Sequence, residues 1–321
     1  MSAAAAGYEA ARTGAALSPL PRAVVAVTGP LRQKFLHGIL SNDVLSRTAG
    51  QGCLAALMDA RGHLLQLLRV LVGADTVWLE APAERLDALE RDLQHYRVAA
   101  PVRFARPALD VLGLLGPGAA ALLSGAGLGF DEGALPAEGH AAGTIAGAAV
   151  RAARASDLPA GGFSLHVPSE STAAVRAALE AAGAATIDAA TLDVLRVEDG
   201  RPWYGPDVTE ANLLHETGLV RVYHSGTKGC YVGQEVIARL EARGGNVSRA
   251  LRGLRLGAPA RAGDAVRFEG AEVGRVTTAG VSPRLGPIAM GYVHRSRFEP
   301  GTSVEVAGAP ATVALLPLDA A

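Results

Sequence analysis

Apolar positions along the chain switch between helical and extended spacing, and those switches divide it. Residues 22–28 (RAVVAVT) read as a strand closed by Gly29-Pro30. In PLRQKFLHGILSNDV the apolar residues Leu31, Phe35, Leu36, Ile39 and Leu40 follow helical spacing, with Pro30 suited to the first turn. Ser41-Asn42-Asp43 is turn chemistry and ends that helix. Two apolar runs, GCLAALMD and HLLQLLRVLVG, flank Asp59-Ala60-Arg61-Gly62, which predicts an antiparallel hairpin. TVWLEAP predicts a further strand, and AERLDALERDLQHYRV an amphipathic helix with Leu86, Leu89, Leu93 and Tyr96 on one stripe. Strand, helix, hairpin, strand, helix is the order of an α+β lobe with an antiparallel sheet.

A second lobe of similar logic is expected over 108–190. DVLGLLG reads as a strand leading to a Gly-Pro start and a short helix (AAALLSGAGL), GFSLHVP as a strand, and ESTAAVRAALEAAG as a helix. The stretch 125–147 is rich in Gly and Ala and weakly patterned, so it is expected to be a loose excursion. From residue 251 the pattern becomes short apolar strands with Gly turns: LRGLRL, AVRFEG, EVGRVTTAGV, IAMGYVHR, SVEVAG and ATVALL. That is the signature of a small β-barrel or sandwich. The expected units are 17–107, 108–250 and 251–321.

Composition narrows the function classes. The chain has 321 residues, 49% hydrophobic and 19% charged, which favours a packed fold over disorder. Its formal net charge of -1 gives no bulk polyelectrolyte signal toward nucleic acid or membrane. The N-terminal MSAAAAGYEAARTGAAL lacks the basic and apolar regions of a secretory signal, and no run of apolar residues is long enough to span a membrane. Two cysteines, Cys53 and Cys230, make no disulfide framework, and the eight histidines are scattered without metal-ligand spacing, so a cytoplasmic chain without a metal site is expected. No GxGxxG, GxxxxGK[ST] or GxSxG motif is present.

The unusual chemistry lies in 188–249. In TLDVLRVEDGRPWYGPDV, Arg196, Glu198 and Asp199 precede Gly200. Either they are the solvated end of a helix that stops at Gly200, or Glu198 faces a pocket, where a buried carboxylate is a good partner for an amino-pyrimidine edge. TKGCYVGQEVIARLEARGG reads as a loop entering a helix, with Gly229 permitting unusual backbone angles. From Cys230 onward, Val232, Val236, Ile237 and Leu240 follow helical spacing. Cys230 is then placed at a helix N-terminus beside Lys228, where dipole and ammonium favour a thiolate. The alternative is a buried, inert small hydrophobe, which is the expectation for Cys53 in its strand.

The string KGCYVGQE (228–235) resembles the signature of the YgfZ-type folate-binding proteins, relatives of the aminomethyltransferase, or T-protein, of the glycine cleavage system. FLHGILSNDV, ALMDARGHLLQLLRV, LRVEDGRPWYGPDV and RGGNVSRALRGL agree in order, so the resemblance spans roughly 17–300 and is weakest over 110–185. It implies a cloverleaf of two α+β lobes and a C-terminal β-barrel around a central opening that binds tetrahydrofolate or a one-carbon derivative. It also implies that Glu198 lines the pterin site, that Asn42 and Asp43 form a turn facing the central region, and that Arg249 contacts folate. Cys230 becomes the functional thiol, tuned by Lys228, with Gln234 and Glu235 holding the local helix or orienting Cys230; Gly229, Tyr231 and Gly233 complete the motif. The implied role is assembly or repair of iron-sulfur clusters in enzymes that include tRNA-modifying ones, with those enzymes, assembly proteins or tRNA as partners.

One departure bears on activity. The T-protein carries an acidic pair shortly after the hairpin glycine, whereas here Gly62 is followed by His63-Leu64-Leu65-Gln66. Losing a charge that acts on the reacting amine typically costs several kcal/mol of transition-state stabilisation. Aminomethyl transfer or demethylation is therefore disfavoured, and folate binding survives. A tRNA-binding adaptor needs a basic patch, for which Arg239, Arg243, Arg249, Arg252 and Arg255 are the clustered candidates.

Overall fold

A computed structural model describes residues 3–128 and 135–318. The chain opens with α1 (Ala3–Thr13) and β1 (Ala16–Pro19). There follow β2 (Arg22–Thr28), α2 (Arg32–Ile39), β3 (Gly52–Met58), β4 (Leu64–Val72), β5 (Thr76–Pro82), α3 (Leu86–Arg97) and β6 (Arg103–Ala105). Next come β7 (Leu109–Leu115), α4 (Ala119–Gly125), β8 (His140–Ile145), β9 (Ala148–Arg154), β10 (Gly162–Pro168), α5 (Thr172–Ala181), β11 (Ala185–Thr186) and α6 (Ala189–Glu198). After α7 (Val220–Tyr223) and α8 (Gln234–Ala242), six strands close the chain: β12 (Arg249–Leu256), β13 (Ala265–Phe268), β14 (Ala271–Ser282), β15 (Gly286–His294), β16 (Ser303–Val306) and β17 (Ala309–Ala314).

The architecture is α+β. An antiparallel five-stranded sheet runs in the order β3-β4-β5-β2-β6, a six-stranded sheet in the order β11-β1-β7-β10-β9-β8, and the last six strands form a closed barrel. Two boundaries differ from the sequence reading. β1, counted there with the first lobe, pairs antiparallel with β7 and parallel with β11, so it belongs to the second sheet. Four residues carry no period long enough to reveal which sheet they join. The stretch 125–147, expected to be loose, contains β8, which pairs with β9 across the Ala146-Gly147 turn; residues 129–134 lie outside the described residues.

Strand alternation sorts the side chains. Val25 and Val27 of β2, Leu68 and Val70 of β4, and Leu79 and Ala81 of β5 pack with Phe35, Leu36 and Ile39 of α2 and with Leu89 and Leu93 of α3. Each fully buried side chain of this size contributes about 1.5–3 kcal/mol relative to exposure. Phe163, Leu165 and Val167 of β10 likewise pack against Val175 and Leu179 of α5. The intervening residues, Arg69, Glu80, Ser164 and His166, therefore point away from the helices, and they meet between the two sheets.

At the rim of that junction, buried His140 of β8 reaches the first lobe: its Nε2 is 2.9 Å from the Val72 carbonyl, and its Nδ1 lies 3.2 Å from Arg151. Burial pushes the His140 ring down from 6.5 to about 4. Between those two values the unfolded chain binds a proton that the folded chain refuses, so stability is fully present above the unfolded value and falls as pH drops through the window. The loss reaches up to about 3 kcal/mol once pH is below both values. His140→Gln is expected to flatten the decline of urea midpoint between pH 6.5 and 4.5; an unchanged slope would refute this assignment.

Candidate functional site

A cavity of about 640 Å³ lies where both sheets, α6 and the 202–206 segment converge. Its apolar wall comes from Leu20, Leu67, Leu68, Ala81 and Leu192, and its aromatic wall from Trp203, Tyr204 and Tyr223. Trp203 is anchored by hydrogen bonds from Nε1 to the Asp157 carbonyl (3.2 Å) and from its backbone N–H to Asp207 (3.0 Å). The guanidinium groups of Arg22 and Arg196 lie over its ring, at 4.8 and 4.4 Å from the centroid. Arg196 itself is held by Asp207 at 2.7 Å and by Asp193, one turn earlier on α6. Asp193 is the half-open carboxylate of the wall, with 44% of its side chain exposed.

Beneath the cavity runs a buried ion network. Arg22 donates to Glu80 and lies within ion-pair distance of Asp157, both at 2.8 Å. Arg69 pairs with Glu138 and Asp157 and donates to the Arg154 carbonyl at 2.9 Å. Glu80 also accepts from Ser164 (2.6 Å) and lies 3.0 Å from His166 Nε2. Burial alone would raise the Glu80 carboxyl, but the His166 hydrogen bond and the Arg22 and Arg69 charges outweigh it and hold the group well below the ordinary carboxylate value. The carboxylates of Glu80 and Asp157 are thus occupied by arginine, and Gln66 is a fully buried amide whose Oε1 has no hydrogen-bond partner.

None of the residues nominated from sequence lines this cavity. Glu198 is fully buried at the end of α6: Tyr8 Oη is 2.9 Å from both of its oxygens, and Arg12 and Ser282 donate to it. Its partners come from α1 and β14, so the carboxylate locks those elements together. Asn42 donates to the carbonyls of Leu54 (2.7 Å) and Val222 (3.2 Å), and Asp43 accepts from Ser46, so the pair pins the turn to β3 and α7. Arg249 bonds Glu216 (3.1 Å) and the Ala211 carbonyl (2.6 Å) beside a separate cavity at the barrel.

The motif segment departs from the expected geometry. Helix α8 starts at Gln234, not at Cys230, because Gly233 is left-handed (φ 82°) and turns the chain. Any side chain at Gly233 would place its Cβ 2.7 Å from the Asp59 carbonyl, so the hairpin turn fixes where the helix begins. Gly229 has no positive φ and open space around it; the conformational demand falls on Gly233. Cys230 is exposed and precedes the helix and its cap, whereas Cys53 is buried and its thiol pushed up to about 12 by burial. Lys228 is spent elsewhere: Nζ donates to the carbonyls of His37 and Leu40 at the end of α2 and lies 4.5 Å from the Tyr231 ring. Burial pushes that amine down to about 8. Gln234 accepts from the Tyr231 N–H at 3.1 Å, holding the turn, and exposed Glu235 shares a small separate pocket with Lys228 and Tyr231.

Three residues in and beneath the cavity wall carry a readable signal in the sequence. Arg69 stands inside HLLQLLRVLVG, Glu80 inside TVWLEAP and His166 inside GFSLHVP. An ionisable residue in the middle of an apolar strand is stable only when paired, so each implies a partner across the fold.

Residues 2–225 match the GCVT N-terminal domain and 249–319 the glycine cleavage T-protein C-terminal barrel domain. KGCYVGQE falls in the interval between the two matched spans. An aminomethyltransferase of Streptomyces avermitilis is 31% identical over 317 residues, covering 91% of this chain and 83% of its own. One of Streptomyces coelicolor is 30% identical, with 97% and 88% covered. The crystal structure of glycine cleavage system aminomethyltransferase T from Bartonella henselae superposes with a TM-score of 0.87 at 24% identity, covering 98% of this chain and 89% of its own, a likeness of fold.

Proposed function

The chain belongs to the glycine cleavage T-protein family, and from that membership we propose that its central cavity binds a reduced folate without carrying aminomethyl transfer. The observation that carries the proposal is the cavity itself, read with its carboxylates. A volume of about 640 Å³ falls within the roughly 300–1,000 Å³ typical of small-molecule sites. Apolar side chains and Trp203 suit the faces of a pterin, and Asp193 leaves an acceptor open for a ring N–H edge. When bound, the folate supplies a carrier for one-carbon units. The chain's own residues bind and orient it, while the buried carboxylates Glu80 and Asp157 are held by Arg22 and Arg69 and Gln66 is neutral, so the acids left in the wall are Asp193 and Glu84 and none stands free on the buried floor.

The finer reading follows KGCYVGQE. Its resemblance to the YgfZ-type signature leads to a role for the folate-bound protein in assembly or repair of iron-sulfur clusters, including those of tRNA-modifying enzymes. Exposed Cys230 is available as a transient thiol there, and a lone cysteine is not a resident cluster site. The family's aminomethyltransferases support a second reading, one-carbon transfer.

Calorimetry with 5-formyltetrahydrofolate, paired with turnover assays using aminomethyl and methyl donors, separates the two. Binding without turnover is expected. Turnover would establish the transferase reading, and no binding would sink both. Cells lacking the chain are expected to lose activity of iron-sulfur tRNA-modifying enzymes, and Cys230→Ala to restore it poorly; full rescue would reduce Cys230 to a bystander.

A further inference from the structure

We propose that the hydroxyl of Tyr223 is the contact by which the central cavity orients its ligand, donating a hydrogen bond to a carbonyl oxygen or an unprotonated ring nitrogen of a flat heterocycle. The proposal rests on the folate reading for the identity of the probe. Most of the buried wall is already engaged: Arg22, Glu80, Asp157, Arg196, Trp203 and Tyr204 each have protein partners, Tyr204 Oη donating to the Leu64 carbonyl at 3.1 Å, while Arg69 keeps an unpartnered Nε 3.7 Å from Glu80. Tyr223 is 4% exposed and lines the cavity, yet its hydroxyl makes no hydrogen bond among the described residues. The hydroxyl is open to the cavity rather than sealed in the core, so water serves it in the free protein and a ligand atom can take that place.

Placement and chemistry agree with a recognition role. Tyr223 ends α7, packs with Leu67 and Tyr204, and is fixed from behind by two side chains of the 41–43 turn. Ser41 Oγ donates to the Tyr223 carbonyl and Asn42 Nδ2 to that of Val222. Asn42 is thereby a positioning residue one step removed from the cavity. Burial pushes the Tyr223 phenol up to about 12, so it keeps its proton at neutral pH. Arg22 and Arg69 are the charges that act on it most strongly after burial, and their sign favours a ligand atom with partial negative charge.

Tyr223→Phe deletes one oxygen and keeps the ring. Because the hydroxyl is unpartnered in the free protein, the melting temperature of the unliganded variant is expected to be unchanged or higher. Its Kd for 5-formyltetrahydrofolate, measured by calorimetry, is expected to rise roughly five- to fifteen-fold, the scale of one buried hydrogen bond. Equal affinity in a variant that melts normally would overturn the hydroxyl's role and leave the folate reading intact. A lowered melting temperature in the free variant would also overturn it, by showing that the hydroxyl already has a structural partner. If the unsubstituted chain fails to bind the probe, the folate reading falls and this proposal with it.

Discussion

Arg69→Met is expected to lower the melting temperature by on the order of 10 °C. The guanidinium is 1% exposed and serves Glu138 and Asp157, with Nε 3.7 Å from Glu80. Removing it leaves three carboxylates between the sheets with Arg22 as their remaining guanidinium, and breaking a buried pair from one side costs about 3–5 kcal/mol. Packing does not compensate, because methionine fills the volume without cancelling the charge. Glu138→Gln in the Arg69→Met background is expected to recover part of the loss, since it removes one of the stranded charges. Scanning calorimetry of the three proteins decides the matter, and a single variant that melts within a degree of the parent would sink the network's structural role. The effect has a pH signature as well. Glu80 is held below its ordinary value, so its stabilising share is present above the unfolded value of 4.5 and is lost as pH falls below it. In Arg69→Met that acid-side loss is expected to shrink.

Arg12→Met is expected to release the N-terminal helix. Arg12 joins Glu198 and Asp199 at once, and Tyr8, Ser282 and, at 3.7 Å, the half-exposed Arg284 complete the set around Glu198. An isolated helix of eleven residues is marginal in water, so α1 persists through docking rather than propensity. Leaving a fully buried carboxylate with only the more distant Arg284 costs on the order of 2–4 kcal/mol, discounted because Arg12 itself is partly exposed. Local opening should then rise by at least roughly thirtyfold, since each 1.4 kcal/mol is a factor of ten. Brief chymotrypsin digestion, followed by mass spectrometry, reads this as faster cleavage after Tyr8. Cleavage at the parental rate would mean that Tyr8 and Ala11 hold α1 by packing alone.

How much of this was legible beforehand differs by level. The order of elements around β2 to α3, the hairpin at 59–62 and the six barrel strands were readable because each is encoded within a few residues: a period of 2 or 3.6, a turn sequence, a glycine. KGCYVGQE was readable as a signature for the same reason. Its geometry was not, since the start of α8 depends on Gly233 meeting the Asp59 carbonyl of a distant hairpin.

Composition and periodicity by themselves determined an α+β chain ending in a small β-barrel or sandwich, and local motif strings determined its resemblance to the T-protein relatives, which implied the barrel. Only the tertiary structure decided which polar residues face the cavity. Glu198, the most suggestive carboxylate in the sequence, is claimed by Tyr8 and Arg12, 190 and 186 residues away. Arg69 and Glu80, whose place inside apolar strands says only that each needs a partner, form the charged floor instead. The reason is physical: a strand's alternation says that a side chain faces one side or the other, but what lies opposite, and whether a buried charge finds its partner there, is settled by how the sheets pack.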